Sequence, residues 1–261
     1  MTPNYDYMAA KAALEWQIEL GVDECIGEVP INRYDVKPPK LKLGPASNLA
    51  PIGTMPSVPI QESAAGIAAI MAGKCTNLSA LRDAMAVFDQ CALKKGAKNL
   101  VFADGNPNAR VMVIGEAPGR DEDAQGVPFV GAAGQLLDKM FAAIGMTRTG
   151  QTPQDALYIT NVMPWRPPQN RDPELAEIQM MLPFLKRHIA LINPDLIVPM
   201  GNAACQAVLG RKGITRLRGN WTSAFECPVM PMYHPAALLR DGSKKAGAWA
   251  DLLSIQARLK E

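Results

Sequence analysis

The sequence predicts an α/β fold in which helices cover both faces of a mainly parallel sheet. From about residue 97 onward, short apolar runs rich in β-forming residues alternate with helical runs. This alternation is typical of parallel strands joined by crossover helices. Of the 261 residues, 48% are hydrophobic and 20% are charged, which supports a sizeable buried core and excludes a disordered or fibrous chain.

The segment before this regular part predicts an N-terminal extension over residues 1–84. The run at 7–22 is amphipathic and predicts a helix. Residues 30–60 contain seven of the 22 prolines, which excludes a helix or a central strand and predicts an extended linker or strap. Two short helices are expected after it, over residues 62–74 and 78–90.

The main domain, residues 85–261, carries the strands and helices of the predicted sheet. Four strands are expected, over residues 109–115, 157–162, 195–200 and 228–233. Helices are expected over residues 134–144, 173–192, 202–209 and 246–259. Ligands of parallel sheets bind where loops leave the carboxyl ends of the strands, so those loops are the first place to look for chemistry.

Charge and cysteine content narrow the function classes. Residues 1–160 carry 14 basic and 17 acidic residues, whereas residues 161–261 carry 13 basic and 8 acidic ones, so the second half better suits a polyanion.

Five scattered cysteines without a CxxC pair argue against a disulfide framework and a zinc knuckle. Two histidines argue against a multi-histidine metal site. No apolar run reaches the roughly 20 residues of a membrane span, so we expect a soluble, cytoplasmic protein without membrane contact.

The loop after the first strand combines acidic residues with an adaptable backbone. Five glycines and two prolines fall within residues 115–134, so the backbone can approach a ligand closely. Glu116 follows the strand directly, with Glu122 and Asp123 further along. Such carboxylates can position a water or stabilise a positively charged transition state, and Phe129 can offer a face for stacking. A glycine-rich phosphate loop or a solvated acidic turn explains the same residues.

Two further strand exits carry polar residues. Asn161 ends the second strand, where its amide can read the edge of an amide-like ring. Arg166 and Arg171, in the proline-rich loop that follows, suit phosphates. Gly201 and Asn202 open the helix after the third strand, where free N–H groups can hold a phosphate. The alternatives are a turn-forming Asn with ordinary surface arginines, and Asn202 as a plain N-cap.

The loop after the fourth strand begins with His234 and continues into an apolar and basic run. Leu238 and Leu239, followed by Arg240, suit a wedge that enters a nucleic-acid groove next to a phosphate contact. The alternative is a structural histidine followed by a helix whose leucines belong to the core.

Three motifs in this order resemble the family 4 uracil-DNA glycosylases. They are GEAPG-x-x-E-D-x-x-G-x-P-F-V-G-x-A-G from residue 115, T-N-V-x-x-x-R-P-P-x-N-R from residue 160 and Y-H-P-A-A-L-L-R from residue 233. The resemblance covers about residues 85–255 and implies a four-stranded parallel sheet in a three-layer α/β/α sandwich. It also implies hydrolysis of the N-glycosidic bond of deoxyuridine in DNA, as part of base excision repair.

The resemblance implies roles for the residues of the first loop. Glu116, together with the Glu122 and Asp123 pair, is expected to position water and stabilise charge. Ala117 stands where relatives in other families carry the general base, so that base is missing here. Ala117 and Gly119 are expected to line the substrate pocket.

The resemblance also implies how base and DNA are held. Phe129 is expected to be the stacking platform under uracil, Asn161 the reader of its O4 and N3 edge, and His234 the donor to O2. The expected DNA-binding residues are Arg166, Gly201, Asn202, Leu238, Leu239 and Arg240.

One feature of the family is missing from the sequence. Family 4 enzymes usually hold an iron–sulfur cluster through four cysteines, but the corresponding positions here are Phe88, Cys91, Trp165 and Met181. One cysteine cannot hold such a cluster, so we expect no metal cofactor. We hypothesise that the three replacements form an apolar plug near Cys91.

Other functions stay open at this point. A covalent-trapping relative carries a histidine-containing basic loop between the first two motifs, and no histidine lies between residues 134 and 161 here. A non-catalytic module that binds DNA or abasic sites is the second alternative, and a nucleotide-binding protein acting on small molecules is the third. We expect a monomer that acts on uracil-containing DNA, single- or double-stranded, and that is associated with the nucleoid when it does so.

Overall fold

The computed structural model describes residues 63–260. The helix predicted over residues 7–22 and the proline-rich segment at 30–60 lie outside the described residues. Within residues 63–260 the fold is built on a six-stranded sheet with the order β1–β3–β2–β4–β6–β5. Its strands are β1 (Ala103–Gly105), β2 (Val111–Gly115), β3 (Leu157–Asn161), β4 (Leu196–Pro199), β5 (Thr222–Ala224) and β6 (Cys227–Val229).

The four expected strands form the parallel centre of the sheet, but the sheet is mixed and larger than expected. β2 pairs in parallel with β3 and β4, and β4 pairs in parallel with β6. In the described part of the chain, β1 and β5 add antiparallel edges. Each of these two strands has three residues, none of them buried. Neither strand therefore has the apolar run by which a sequence pattern reveals a strand.

Successive residues of the central strands point to opposite faces and build two hydrophobic cores. Met112 and Ile114 of β2 belong to one buried cluster, whereas Val111 and Val113 belong to the other. This alternation is what a strand covered on both faces requires. Helices therefore flank the sheet on both sides.

Nine α-helices lie within residues 63–260: α1 (Ala64–Gly73), α2 (Leu78–Val87), α3 (Arg120–Gln125), α4 (Ala132–Ala142), α5 (Leu175–Ile192), α6 (Gly201–Leu209), α7 (Ile214–Leu217), α8 (Pro235–Arg240) and α9 (Lys245–Arg258). Six of them were expected from the sequence. The other three, α3, α7 and α8, have four to six residues and are too short to show a helical period. None of these nine helices is long and apolar enough to cross a membrane.

The described part of the predicted N-terminal extension packs on α5. α1 contacts both α2 and α5, and Ala68 and Ala72 are buried in the same hydrophobic cluster as Phe184. Arg187 of α5 also donates a hydrogen bond to the carbonyl of Cys75 at 2.7 Å. The division of the chain at residue 84 stays a prediction.

His188 belongs to the core and not to a site. Its Nε2 lies 2.7 Å from the Tyr158 hydroxyl, and its ring stacks on Phe102. Burial lowers the pKa of His188 to about 3 and raises the pKa of Tyr158, so both side chains are neutral at physiological pH. Of the two histidines, His234 is the one available for chemistry.

Candidate active site

The carboxyl ends of the central strands open into one cavity of about 480 Å³. Eleven residues expected at the site line it: Glu116, Ala117, Gly119, Glu122, Phe129, Asn161, Arg171, Gly201, Asn202, His234 and Arg240. Four others do not line it: Asp123, Arg166, Leu238 and Leu239. The cavity therefore lies where parallel sheets bind their ligands.

Gly115, the last residue of β2, lets Asn161 and Phe129 approach the strand closely. A Cβ atom at residue 115 would lie 2.3 Å from Asn161 Oδ1 and 2.5 Å from the Phe129 ring, so a side chain there would displace both. Asn161 is 7% exposed, and its amide forms no hydrogen bond with another residue between 63 and 260. Its donor and acceptor atoms are therefore available to a ligand in the cavity.

Phe129 has a left-handed backbone with φ of 54°, which a non-glycine residue adopts only when its surroundings hold it. Arg148 holds it: Nη2 donates to the Phe129 carbonyl at 2.8 Å and Nη1 to the Pro128 carbonyl at 3.0 Å. Arg148 is in turn paired with Asp104 and Asp138 at 2.8 and 2.9 Å. Sequence analysis missed Arg148 because its partners come from distant parts of the chain.

His234 is fixed in one tautomer beside Phe129. The two rings stack with 5.5 Å between their centroids. Nδ1 of His234 accepts a hydrogen bond from the N–H of Ala236 at 3.2 Å, so the ring proton resides on Nε2. Burial and the nearby Arg240 lower the pKa of His234 to about 4. At neutral pH it is therefore an uncharged donor, which suits the stabilisation of a developing anion.

Glu116 begins the loop after β2 and lines the cavity together with Asp172. The Glu116 carbonyl accepts a hydrogen bond from the N–H of Met163 at 3.0 Å, which ties the loop to the exit of β3. Burial and Asp172 raise the pKa of Glu116 to about 7, while Arg240 and Lys212 act in the opposite direction. A carboxyl group with such a pKa can accept a proton from water at neutral pH.

Glu122 shapes the loop, because both of its carboxylate oxygens accept hydrogen bonds from the backbone. Its Oε2 accepts a hydrogen bond from Gly119 N–H at 3.0 Å, and its Oε1 accepts from the N–H groups of Val130 and Gly131 at 3.0 and 2.9 Å. Asp123 is buried and accepts from two backbone N–H groups that precede β1. These hydrogen bonds shape the loop, and the expected role of the pair in positioning water and stabilising charge stays a prediction.

At the start of α6, Gly201 and Asn202 form hydrogen bonds within the protein, and the phosphate contact expected there stays a prediction. The N–H of Gly201 donates to a backbone carbonyl after β6, and its φ of 87° brings it against His234. Asn202 Oδ1 accepts from the N–H groups of Gly213 and Ile214 at 3.1 and 2.9 Å. Both residues position their neighbours, and Asn202 does not cap its own helix.

The expected wedge is the short helix α8, and only part of it reaches the surface. Leu238 is 2% exposed and belongs to a hydrophobic core, so it cannot intercalate from this position. Leu239 is 51% exposed, and Arg240 is exposed beside the cavity. The core interpretation is confirmed for Leu238, while the insertion of Leu239 and Arg240 into DNA stays a prediction.

The arginines of the loop after β3 are bonded within the protein. Arg166 Nε donates to Asn170 Oδ1 at 2.8 Å. Arg171 forms a two-pronged ion pair with Glu177, at 2.9 and 2.7 Å, which joins the loop to α5. Arg171 is thus engaged by a carboxylate, and the contact of Arg166 with DNA stays a prediction.

A basic segment, residues 210–220, borders the cavity through Ile214. Its Arg211, Lys212 and Arg216 are exposed, and none of the three forms an ion pair with a residue between 63 and 260. Sequence analysis did not single this segment out, although it holds four basic residues and no acidic one among eleven. That charge pattern was the available signal.

The four positions that correspond to the cluster cysteines of the family are part of the hydrophobic core. Phe88, Cys91, Trp165 and Met181 are each at most 3% exposed and belong to one buried cluster, as an apolar plug requires. Phe88 packs edge-on against Phe184 with 5.2 Å between ring centroids. An iron–sulfur cluster needs four thiolates, but these positions offer only the Cys91 thiol and the Met181 thioether. Burial raises the pKa of the Cys91 thiol, which disfavours the thiolate. Among residues 63–260, no group of three or more His, Cys, Asp or Glu side chains could hold a metal ion.

Comparison with known proteins supports the resemblance seen in the motifs. The family model of the uracil DNA glycosylase superfamily matches residues 102–253. A type-4 uracil-DNA glycosylase of Sulfurisphaera tokodaii is 40% identical over 173 residues, which are 62% of this chain and 76% of the relative. Type-4 uracil-DNA glycosylases of Archaeoglobus fulgidus and Thermotoga maritima are 41% and 39% identical, covering 58% and 59% of this chain and 77% and 79% of the relatives. With a match that spans the sheet and every loop of the cavity, the chain belongs to the uracil DNA glycosylase superfamily.

Proposed function

We propose that the protein removes uracil from DNA by hydrolysing the N-glycosidic bond between the base and deoxyribose, as part of base excision repair. The type-4 relatives supply the reaction class. The observation that carries the proposal for this chain is the convergence of Glu116, Phe129, Asn161 and His234 on one cavity at the strand ends.

The cavity holds uracil by one face and one edge. Phe129 offers its ring for stacking, and the Asn161 amide accepts from uracil N3–H and donates to O4. Cytosine presents the reverse donor and acceptor pattern, so it leaves the amide unpaired and is disfavoured. A base inside a duplex must first be flipped out, at a cost of a few kcal/mol.

Glu116 and His234 act on the two ends of the breaking bond. The Glu116 carboxylate takes a proton from the attacking water as the water oxygen bonds to C1′. The C1′–N1 bond breaks, and its electron pair leaves with uracil. His234 donates from Nε2 to O2, where the negative charge of the departing base collects. The proton on Glu116 then passes to uracil, and the sugar is left abasic.

The DNA strand runs past exposed cations and one exposed leucine. Arg211, Lys212 and Arg216 of the basic segment suit phosphates, which supply most of the affinity of such enzymes for DNA. Arg240 adds a further cation at the cavity, and Leu239 beside it fills the space of the flipped base.

Oligonucleotides that carry a single uracil test this proposal. The protein is incubated with single- and double-stranded forms, and alkali then cleaves any abasic site. We expect cleavage at uracil and none in matched strands with thymine or cytosine at the same position. Tight binding without cleavage would indicate a binding module, and a gel-stable adduct would indicate covalent trapping. Either result contradicts the proposal.

A further inference from the structure

A second pocket, of about 320 Å³, lies between the basic segment and the edge strand β5. This volume is within the range of sites that bind small ligands. The basic segment takes part in both cavities, because Ile214 lines the first, whereas Arg211 and Arg216 line the second. One short stretch of chain therefore connects the active-site cavity with a pocket to which no motif assigned a role.

The second pocket offers cations and free polar groups. Arg211 and Arg216 are exposed and form no ion pair with a residue between 63 and 260, and the residues that line the pocket include no acidic one. Thr222 and Ser223 of β5 also line it, and their hydroxyl groups form no hydrogen bond with another residue in the described range. Such groups suit a phosphate and the polar edge of a base.

Trp221 gives the second pocket an aromatic wall. Its Nε1 donates a hydrogen bond to Ser254 Oγ at 3.0 Å, which fixes the ring. Arg258 lies over the ring, 5.3 Å from its centroid. It lines a neighbouring pocket that Trp221 also borders, but it does not line this one. The indole is therefore available to a flat ring in the second pocket.

The basic segment is braced, so the second pocket is formed before a ligand binds. Asn202 accepts hydrogen bonds from its backbone, as described above, and Asn220 Nδ2 donates to the carbonyls of Arg216 and Arg218 at 3.1 and 3.2 Å. Arg218 Nε in turn donates to the buried Asp251 carboxylate at 2.9 Å. A site that is already ordered loses less conformational entropy on binding.

We propose that the second pocket holds one unpaired nucleotide of the DNA strand whose uracil occupies the active-site cavity, with its base against Trp221 and its phosphate at Arg211 and Arg216. The inference rests on the proposed function, since it takes this DNA as the ligand. Grooves for single-stranded nucleic acid combine cations for the backbone with aromatic side chains for the bases. A base in a duplex is already paired and stacked, so the pocket favours a single-stranded substrate.

Single-stranded oligonucleotides that lack one base test the proposal. Each carries one uracil and one abasic spacer, which is moved along the strand on either side of the uracil, and fluorescence anisotropy gives the affinity. We expect the affinity to fall by about 5-fold or more when the spacer stands at one particular position, because a stacked base is lost there. The same spacer in a duplex should have no such effect. Equal affinities for all spacer positions would overturn the proposal.

Trp221→Leu should abolish this dependence on position, because the base then has no aromatic partner. Trp249→Leu is the matched control, since Trp249 is 44% exposed on α9 and lies outside the second pocket. It should keep the wild-type dependence. If Trp221→Leu folds and still shows the full dependence, the base does not bind at Trp221 and the proposal is wrong.

A pair of surface changes tests the same pocket without disturbing the indole. Arg216→Ala and Lys212→Ala each remove one exposed cation from the basic segment, but only Arg216 lines the second pocket. Arg216→Ala should weaken binding of the single strand by about 10-fold and binding of the duplex by less. Lys212→Ala should weaken both forms alike. An equal loss for the two forms in Arg216→Ala would contradict the proposal, even if Trp221→Leu does not fold.

Failure of this inference and failure of the proposed function give different results. Uracil release from single strands without any effect of the spacer position would overturn only the second pocket. Dependence on the spacer position without uracil release would overturn only the proposed function.

Discussion

Two sets of polar side chains surround the cavity and differ in where their polar atoms are bonded. The bracing set consists of Glu122, Arg148 and Asn202, whose polar atoms form hydrogen bonds with the backbone of the surrounding loops. The working set consists of Glu116, Asn161 and His234. Their carboxyl group, amide group and ring N–H, respectively, are available to a ligand in the cavity.

The difference teaches that residue type and motif position do not decide the role of a side chain. Glu116 and Glu122 are the same residue type in the same loop, six positions apart. Glu122 accepts three backbone hydrogen bonds, whereas Glu116 lines the cavity, where burial raises its pKa to about 7. We therefore expect changes in the working set to lower the rate, and changes in the bracing set to lower stability as well.

His234→Ala should have the largest effect on the rate. It removes the donor that stabilises the leaving uracil, and the loss of one such donor costs about 100- to 1000-fold. Single-turnover release of uracil measures the rate, and binding to undamaged DNA is the control. Binding should be almost unchanged, since His234 is uncharged at neutral pH. A variant that keeps the full rate would remove His234 from the working set.

Asn161→Ala should follow, with a loss of roughly 10- to 100-fold for uracil, because the base loses hydrogen bonds at its edge. The discrimination between uracil and cytosine should shrink at the same time. Matched oligonucleotides with either base at one position measure both effects. Full activity with unchanged discrimination would show that another group reads the base.

Arg148→Ala should damage stability and rate together. The change leaves Asp104 and Asp138 without their cation and leaves the strained Phe129 backbone without its brace. Loss of such a partly buried network costs about 2–4 kcal/mol. Thermal unfolding measures this loss, with Arg148→Lys as a partial rescue that keeps the charge. If the melting temperature is unchanged, Arg148 does not belong to the bracing set.

The smallest effect on chemistry should come from the basic segment. The double change of Arg211→Ala and Lys212→Ala removes two exposed cations, which should weaken DNA binding evenly across sequences. The slope of log K against log salt should fall by about 2 units. Fluorescence anisotropy at several salt concentrations measures it. An unchanged slope would place the DNA strand elsewhere.

Sequence patterns predicted the place of the cavity because the order of strands and helices requires parallel pairing, and loops at the carboxyl ends of parallel strands meet. They did not reveal Arg148, whose partners are distant in the chain. Leu238 shows a second reason: in a helix of six residues no periodic pattern reports which side chain faces the core.

The most direct test compares Glu116→Gln with Glu122→Gln. Free uracil released from an oligonucleotide with one uracil is quantified by mass spectrometry, and the melting temperature is measured for each variant. We expect Glu116→Gln to lose about 100-fold or more in rate without a lower melting temperature, and Glu122→Gln to melt at a lower temperature because its backbone hydrogen bonds weaken. Wild-type release of uracil by Glu116→Gln would contradict the account.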